Sequence, residues 1–328
     1  MATLPPTRPA PEVVVRINRI WHDVEAEHYD RVHHEIITDE AEHWRKLAAK
    51  AAVCLPQGPA TVVDIGTGTG FAMASFWPYL RPGDTAVCLD ISVPMLGKAA
   101  ARLESLGGPI PPICAACDAS GIPLPSGRAH VVLMNSVLHH MPEPEKVLAE
   151  VCRLLAPGGM FVLAHEPNAR ARTSPHAVAL YLAYRAWRKL RRLAKSLYGH
   201  KGQAAEVPKD LYEEVIRRLR EQKVITKDQQ VDWRWISQAV DFHSPTAGGA
   251  FLRQGGFDPS ALIEQQSDAY EASSIETYAH LGKIRPSGWL LGLLDRLLGR
   301  LFPRSGASFS LVARKAEAIA GTKEDAPA

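Results

Sequence analysis

The stretch "VVDIGTGTGF", residues 62–71, decides the fold. Val62, Val63 and Ile65 form a β-branched run around one acid, and Gly66, Gly68 and Gly70 follow at alternate positions. Glycine repeated in this way marks a backbone that turns tightly or is approached closely. The spacing is G-x-G-x-G. The G-x-G-x-x-G fingerprint of nicotinamide and flavin sites would need glycine at position 71, where Phe71 stands.

Outward from that turn, strand and helix patterns alternate. Thr61–Ile65, Ala86–Asp90, Ile113–Cys117, Ala129–Asn135 and Met160–His165 read as short apolar strands. Phe71–Leu80, Val93–Leu106 and Pro142–Leu155 carry apolar residues at helical spacing, the last closed by "PGG". Such alternation predicts a parallel sheet covered on both faces, with ligands at the carboxyl ends of the strands. Asp90 ends the second strand, twenty residues past Gly70. A carboxylate there can accept hydrogen bonds from both ribose hydroxyls of a nucleoside.

From about Ala60 to Pro167 the chain resembles a class I S-adenosylmethionine-dependent methyltransferase, of the small-molecule, ubiquinone-biosynthesis-like group. "VVDIGTGTG" is similar to the first motif of that family and "CLDISVPML" to the second. "CDASGIPLP" and "NSVLHHMPEPEKVLAEVCRLLAPGGMFVLAHEP" resemble the run that follows. The resemblance implies an α/β, Rossmann-like fold with a seven-stranded, mostly parallel sheet ordered 3-2-1-4-5-7-6. It implies S-adenosyl-L-methionine as cofactor, with Gly66, Gly68 and Gly70 against its methionine and ribose parts. Asp64 would help position the amino group, Asp90 the ribose diol, and Ile91 would pack on the adenine. Asp118 and Ala119 would meet the adenine edge, and Asn135 the methionine amino group.

Composition sets the other bounds. The chain has 328 residues and a formal net charge of +3, which gives no overall nucleic-acid signal. The five cysteines read as reduced thiols of a cytoplasmic protein. Cys114-x-x-Cys117 has half the spacing of a zinc site, but no second pair completes it, so no metal is expected. No run of 18 uncharged apolar residues occurs, so no membrane-spanning helix is expected.

The expected organisation follows. Residues 1–15 are proline-rich and read as disordered, 16–56 as a helical cap, and 57–167 as the cofactor-binding core. Residues 168–246 form an insertion over the strand ends that reads as an α-helical lid, with helices near 176–197 and 209–223. Residues 247–316 complete the sheet, through "LRQGGFDPSALIEQQ" and "SFSLVARKA", with a leucine-rich helix at 287–302. Residues 317–328 read as a tail. The leucine stripe is expected to pack within the protein or on a second subunit, making the chain a monomer or homodimer, with peripheral membrane contact not favoured.

The function expected is methyl transfer to a small, apolar or aromatic acceptor, with oxygen favoured over nitrogen or carbon. His139, His140 and His243 are the catalytic candidates, because an acceptor hydroxyl must lose its proton. His165 and Glu166 are weaker candidates, and Glu166 reads better as a cap or an ion-pair partner. An RNA or protein methyltransferase, suggested by "RAWRKLRRLAK", and a non-catalytic binding protein are the rival classes.

Overall fold

The computed structural model describes residues 9–175, 209–243, 255–281 apart from 266, 289–317, and part of 178–190. Seven strands form one sheet in the order β3-β2-β1-β4-β5-β7-β6. They are β1 (Thr61–Ile65), β2 (Thr85–Asp90), β3 (Ile113–Ala116), β4 (Ala129–Asn135), β5 (Leu155–Pro167), β6 (Tyr270–Tyr278) and β7 (Ser308–Lys315). Strands β1 to β5 pair in parallel, and β7 runs antiparallel to both β5 and β6. The expected order is therefore the observed one.

The helices that position the site are α1 (Pro11–Glu25), α2 (Ala41–Ala52), α3 (Phe71–Phe76), α4 (Val93–Leu106) and α5 (Pro144–Leu154). They are followed by α6 (Lys209–Glu221), α7 (Trp233–Val240), α8 (Pro259–Glu264) and α9 (Trp289–Leu301). Local chemistry sets several starts. The Ser92 hydroxyl accepts from the Met95 N–H to open α4, and Asp232 and Asp258 do the same for α7 and α8. Pro78 confines α3 to six residues and leaves a 3₁₀ turn at Trp77–Tyr79, shorter than the Phe71–Leu80 expectation.

Both faces of the sheet are covered by apolar cores. One gathers Val63, Phe161 and Phe309 with Val151 and Leu154 of α5; the other gathers Val62, Val162 and Phe76 with Trp44 of α2. A third cluster stands apart from the sheet. Ile17, Ile20 and Trp21 of α1 pack on Leu211, Val215 and Leu219 of α6 and on Trp235 and Ile236 of α7.

Three expectations need correction. The stretch 1–15 is not wholly irregular, because α1 starts at Pro11, where a first-turn proline suits a helix, and Val14 is fully buried. The sixth strand is Tyr270–Tyr278, whereas the described part of "LRQGGFDPSALIEQQ" opens α8, since Asp258 caps it and Pro259 fits its first turn. The leucine stripe of α9 is not buried within the described residues. Only Leu298 is buried, and Leu290, Leu294, Leu297 and Leu301 stay exposed because the helix seats its other side on the protein. The helix expected at 176–197 lies partly outside the described residues. Among those described, Leu182, Trp187 and Leu190 are exposed. No helix among the described residues is long and apolar enough to cross a membrane.

Candidate active site

A cleft opens where β1, β2 and β4 end. One half of its wall is the glycine turn. Gly66, Gly68 and Gly70 have φ of +65°, +53° and +84°, a region that side chains rarely adopt. A Cβ on Gly66 would fall 2.5 Å from Val137, whereas one on Gly68 would meet nothing within 4 Å. Gly66 and Gly68 line the cleft, and Gly70 instead lets the turn close on Ala99 of α4.

Two carboxylates organise this half. Asp64 is buried, and its Oδ2 accepts from the Thr67 hydroxyl at 2.6 Å and the Met73 N–H at 3.2 Å. Its Oδ1 has no partner, and burial pushes its pKa up to about 7. Asp90 accepts the Gly68 N–H on Oδ2 at 2.8 Å and the Ser92 N–H on Oδ1 at 2.9 Å, so each oxygen keeps a further lone pair. Ile91, Asp118, Ala119 and Asn135 also line the cleft. The Asp118 carboxylate is folded onto Ser120, accepting its N–H and hydroxyl at 2.8 Å. Asn135 is held by α2, since its Oδ1 accepts from the Trp44 indole at 2.8 Å. The next residue, Ser136, has φ +59° and lies in the cleft wall, a strained turn of the kind that clusters at functional sites.

The other half is built around the two adjacent histidines, and they have different roles. Glu166 is fully buried and accepts the N–H groups of Val137, Leu138 and His139 together with His139 Nδ1–H. It thus caps the turn at 138–140, which satisfies a buried carboxylate without an arginine. Burial disfavours the charged ring of His139, but the charge and hydrogen bond of Glu166 outweigh it and hold its pKa above the ordinary value. His139 does not line the cleft.

His140 does line the cleft. Its Nδ1 lies 2.8 Å from the Val240 carbonyl, which can only accept, so Nδ1 carries the proton and Nε2 is left as the acceptor. Burial, then the neighbouring His139 and His22, push its pKa well below the usual imidazole value. Asp241 at the end of α7 lies 3.6 Å from His140 Nδ1 and 3.8 Å from His139 Nε2. These three side chains bring ligand-type atoms within 4.8 Å of one another, against about 3.4 Å between donors around a tetrahedral ion. As they stand, the Asp241 carboxylate faces both rings.

Three polar cleft residues come from the N-terminal segment, which the sequence suggested as a helical cap closing the far side of the pocket. Asn18 and His22 of α1 and Tyr29 just beyond it line the same wall as His140. His22 meets the His140 ring edge-on at 5.3 Å between centroids. Asn18 donates to the Val14 and Ala239 carbonyls, and its buried Oδ1 has no partner. The sequence did carry a signal: Val15, Asn18 and His22 share one face of α1 at i, i+3 and i+7.

His243 does not line the cleft. Its N–H donates to the His139 carbonyl at 2.8 Å and its ring packs beside Phe257. His165, with φ +58°, pairs with the buried Glu40 on α2's side of the sheet and is likewise absent from the cleft wall.

Residues 63–163 match the family model described as "Methyltransferase domain". A demethylmenaquinone methyltransferase of Thermus thermophilus is 33% identical over 124 residues, covering 38% of this chain and 54% of that protein. A malonyl-[acyl-carrier protein] O-methyltransferase of Geobacter sulfurreducens is 30% identical over 106 residues, covering 32% of this chain and 38% of that protein. The chain spans about half the length of the curated relatives it matches first. A SAM-dependent methyltransferase of Aquifex aeolicus aligns structurally with a TM-score of 0.31 and 21% identity, over 39% of this chain and 73% of that one.

Proposed function

We propose, starting from a chain whose residues 63–163 form a class I S-adenosylmethionine-dependent methyltransferase domain, that the whole protein methylates a small, apolar, hydroxyl-bearing ring. When bound, S-adenosylmethionine supplies an electrophilic methyl group on a sulfonium. The residues present fit that molecule. The partnerless Asp64 Oδ1 offers a buried acceptor to an ammonium, and the open space over Gly68 admits a ligand against bare backbone. Asp90 retains an accepting lone pair on each oxygen for a ribose diol.

The observation that carries the reading is the fixed, neutral His140 beside the partnerless Asn18 Oδ1. An acceptor hydroxyl seated between them donates to Asn18 or surrenders its proton to His140 Nε2. Asp241 then stabilises the resulting imidazolium from 3.6 Å. Val15, Ile36, Ile37, Met141 and Pro142 make the surrounding wall apolar, which suits an aromatic or polyprenyl-like acceptor and excludes water. Positioning in such a wall is worth about 7–11 kcal/mol of the barrier for well-aligned groups.

Ionising a phenol or hydroquinone activates both its oxygen and the conjugated ring carbons. We place the methyl on carbon, because the menaquinone-type relatives point to a quinone-like acceptor. Oxygen is the second reading, favoured by the O-methyltransferase relative. The test offers labelled methyl donor to RNA, protein and a small-molecule extract in separate reactions. Label in a small apolar product, its position then fixed by NMR, supports the reading; label confined to RNA or protein overturns it.

A further inference from the structure

The helix α9 holds one side to the protein. Leu298 is buried, the Asp295 carboxylate accepts the Leu281 N–H at 2.8 Å, and Gly299 closes on the His280 ring. Its other side presents Trp289, Leu290, Leu293, Leu294, Leu297 and Leu301, between 38% and 76% exposed. At 100° per residue Leu290, Leu293, Leu294, Leu297 and Leu301 fall on one arc of about 100°. Trp289, Arg296 and Arg300 follow one edge of that arc, and Arg304 is exposed just beyond the helix. The only acid of the helix, Asp295, faces inward.

The placement of α9 matters as much as its composition. Tyr278 at the end of β6 and Pro167 at the end of β5 both pair with Ser308, the first residue of β7. Tyr278 and Ser308, the strand ends that flank α9 in the chain, therefore lie at the carboxyl edge of the parallel strands. That is the edge on which Ile65, Asp90 and Asn135 end at the cleft.

We propose that α9 docks the protein in the plane of an anionic membrane surface, with its leucine arc among the acyl chains and its arginine edge at the headgroups. An apolar arc flanked by basic residues suits that interface, where such helices sink about 5–10 Å. Thirteen residues rise about 20 Å, too short to cross the ~30 Å core. A second copy is the weaker occupant. A strip about 20 Å long and about 10 Å wide offers roughly 200 Å² per copy, against about 800 Å² per partner in a stable dimer. Docking brings the cleft edge to the surface, from which an apolar acceptor could enter without crossing water. This last step rests on the proposed function, but the docking does not, because it is read as binding alone.

The test is co-sedimentation of the full chain with vesicles of phosphatidylcholine containing about a third phosphatidylglycerol, at about 0.15 M salt. Binding is expected. Leu294→Asp should abolish it while S-adenosylhomocysteine affinity and circular dichroism stay unchanged, which separates lost docking from lost folding. Arg300→Gln should lower partition about fivefold, the equivalent of the ~1 kcal/mol carried by each basic residue near such a surface. Failure of the wild-type chain to sediment with these vesicles overturns the proposal. So does a dimer in analytical ultracentrifugation that Leu294→Asp dissociates, with no vesicle binding, which assigns the face to a second copy. Vesicle binding with no methylation of any hydroxylated ring would leave the docking standing and overturn the function instead.

Discussion

The two halves of the cleft are built differently. On the cofactor side every lining residue considered lies between Asp64 and Ser136, each at or just past a strand end or in the turn that follows. On the acceptor side Asn18, His22 and Tyr29 come from the N-terminal helices, His140 from a turn after β4, and its anchor Val240 from α7. The first half inherits its geometry from the sheet. The second is only as firm as the packing of α1 on α6 and α7. Cofactor affinity and acceptor turnover should therefore respond to different substitutions.

The largest test of that separation is His140→Ala. Loss of a general base should lower turnover roughly 10²–10⁴-fold while calorimetric affinity for S-adenosylhomocysteine changes by less than about threefold. Because burial and His139 hold the His140 pKa down, the neutral ring persists below the ordinary imidazole range. The acid limb of the wild-type pH–rate profile should thus lie below about pH 6.5. A parallel fall in cofactor affinity would join the two halves.

Next comes Ile236→Ala, a cavity in the third cluster beneath the acceptor side. Such a deletion at a fully buried site should cost about 2–5 kcal/mol in urea unfolding and loosen the seat of Asn18 and His140. Raised KM for the acceptor with normal cofactor binding is the expected kinetic signature. Asp90→Ala should do the reverse, weakening S-adenosylhomocysteine about tenfold or more through lost hydroxyl contacts. Unchanged affinity would remove Asp90 from the ribose.

The smallest effect is a pH dependence. Burial raises the Asp64 pKa to about 7, so below that pH a bound ammonium must displace a proton. Affinity for S-adenosylhomocysteine should rise about tenfold between pH 6 and 8 and flatten in Asp64→Asn. A pH-independent wild-type affinity would mean that Asp64 does not face the amino group.

This contrast also explains what could be read from the sequence. The glycine turn and Asp90 rest on local patterns, since an apolar run, a following acid and a helix start all occur within a few residues, whereas the strand order came from the family resemblance alone. Gly70 was grouped with Gly66 and Gly68, yet its role is to close the turn on Ala99, a contact that spacing cannot express. His139 and His140 are adjacent in sequence and look equivalent there. Only the fold hands one to Glu166 and the other to the Val240 carbonyl. His243 had the residue type of a base, but the chain turns its ring toward Phe257. Asn18 needed a contact across 221 residues and Asp241 contacts across 101 and 102, which no local pattern carries.

That separation has a consequence during synthesis. The Asn18 side chain reaches the Ala239 carbonyl across 221 residues of sequence. At about 5–20 residues per second, α1 leaves the ribosome about 10–45 s before its partners on α7 exist. For most of that interval Ile17, Ile20 and Trp21 lack the α6 and α7 residues on which they pack. The strands that hold the cofactor side are synthesised in the meantime, while the acceptor side waits for the later helices. The segment that finally closes the cleft is thus the one exposed longest to chaperones and to other nascent chains.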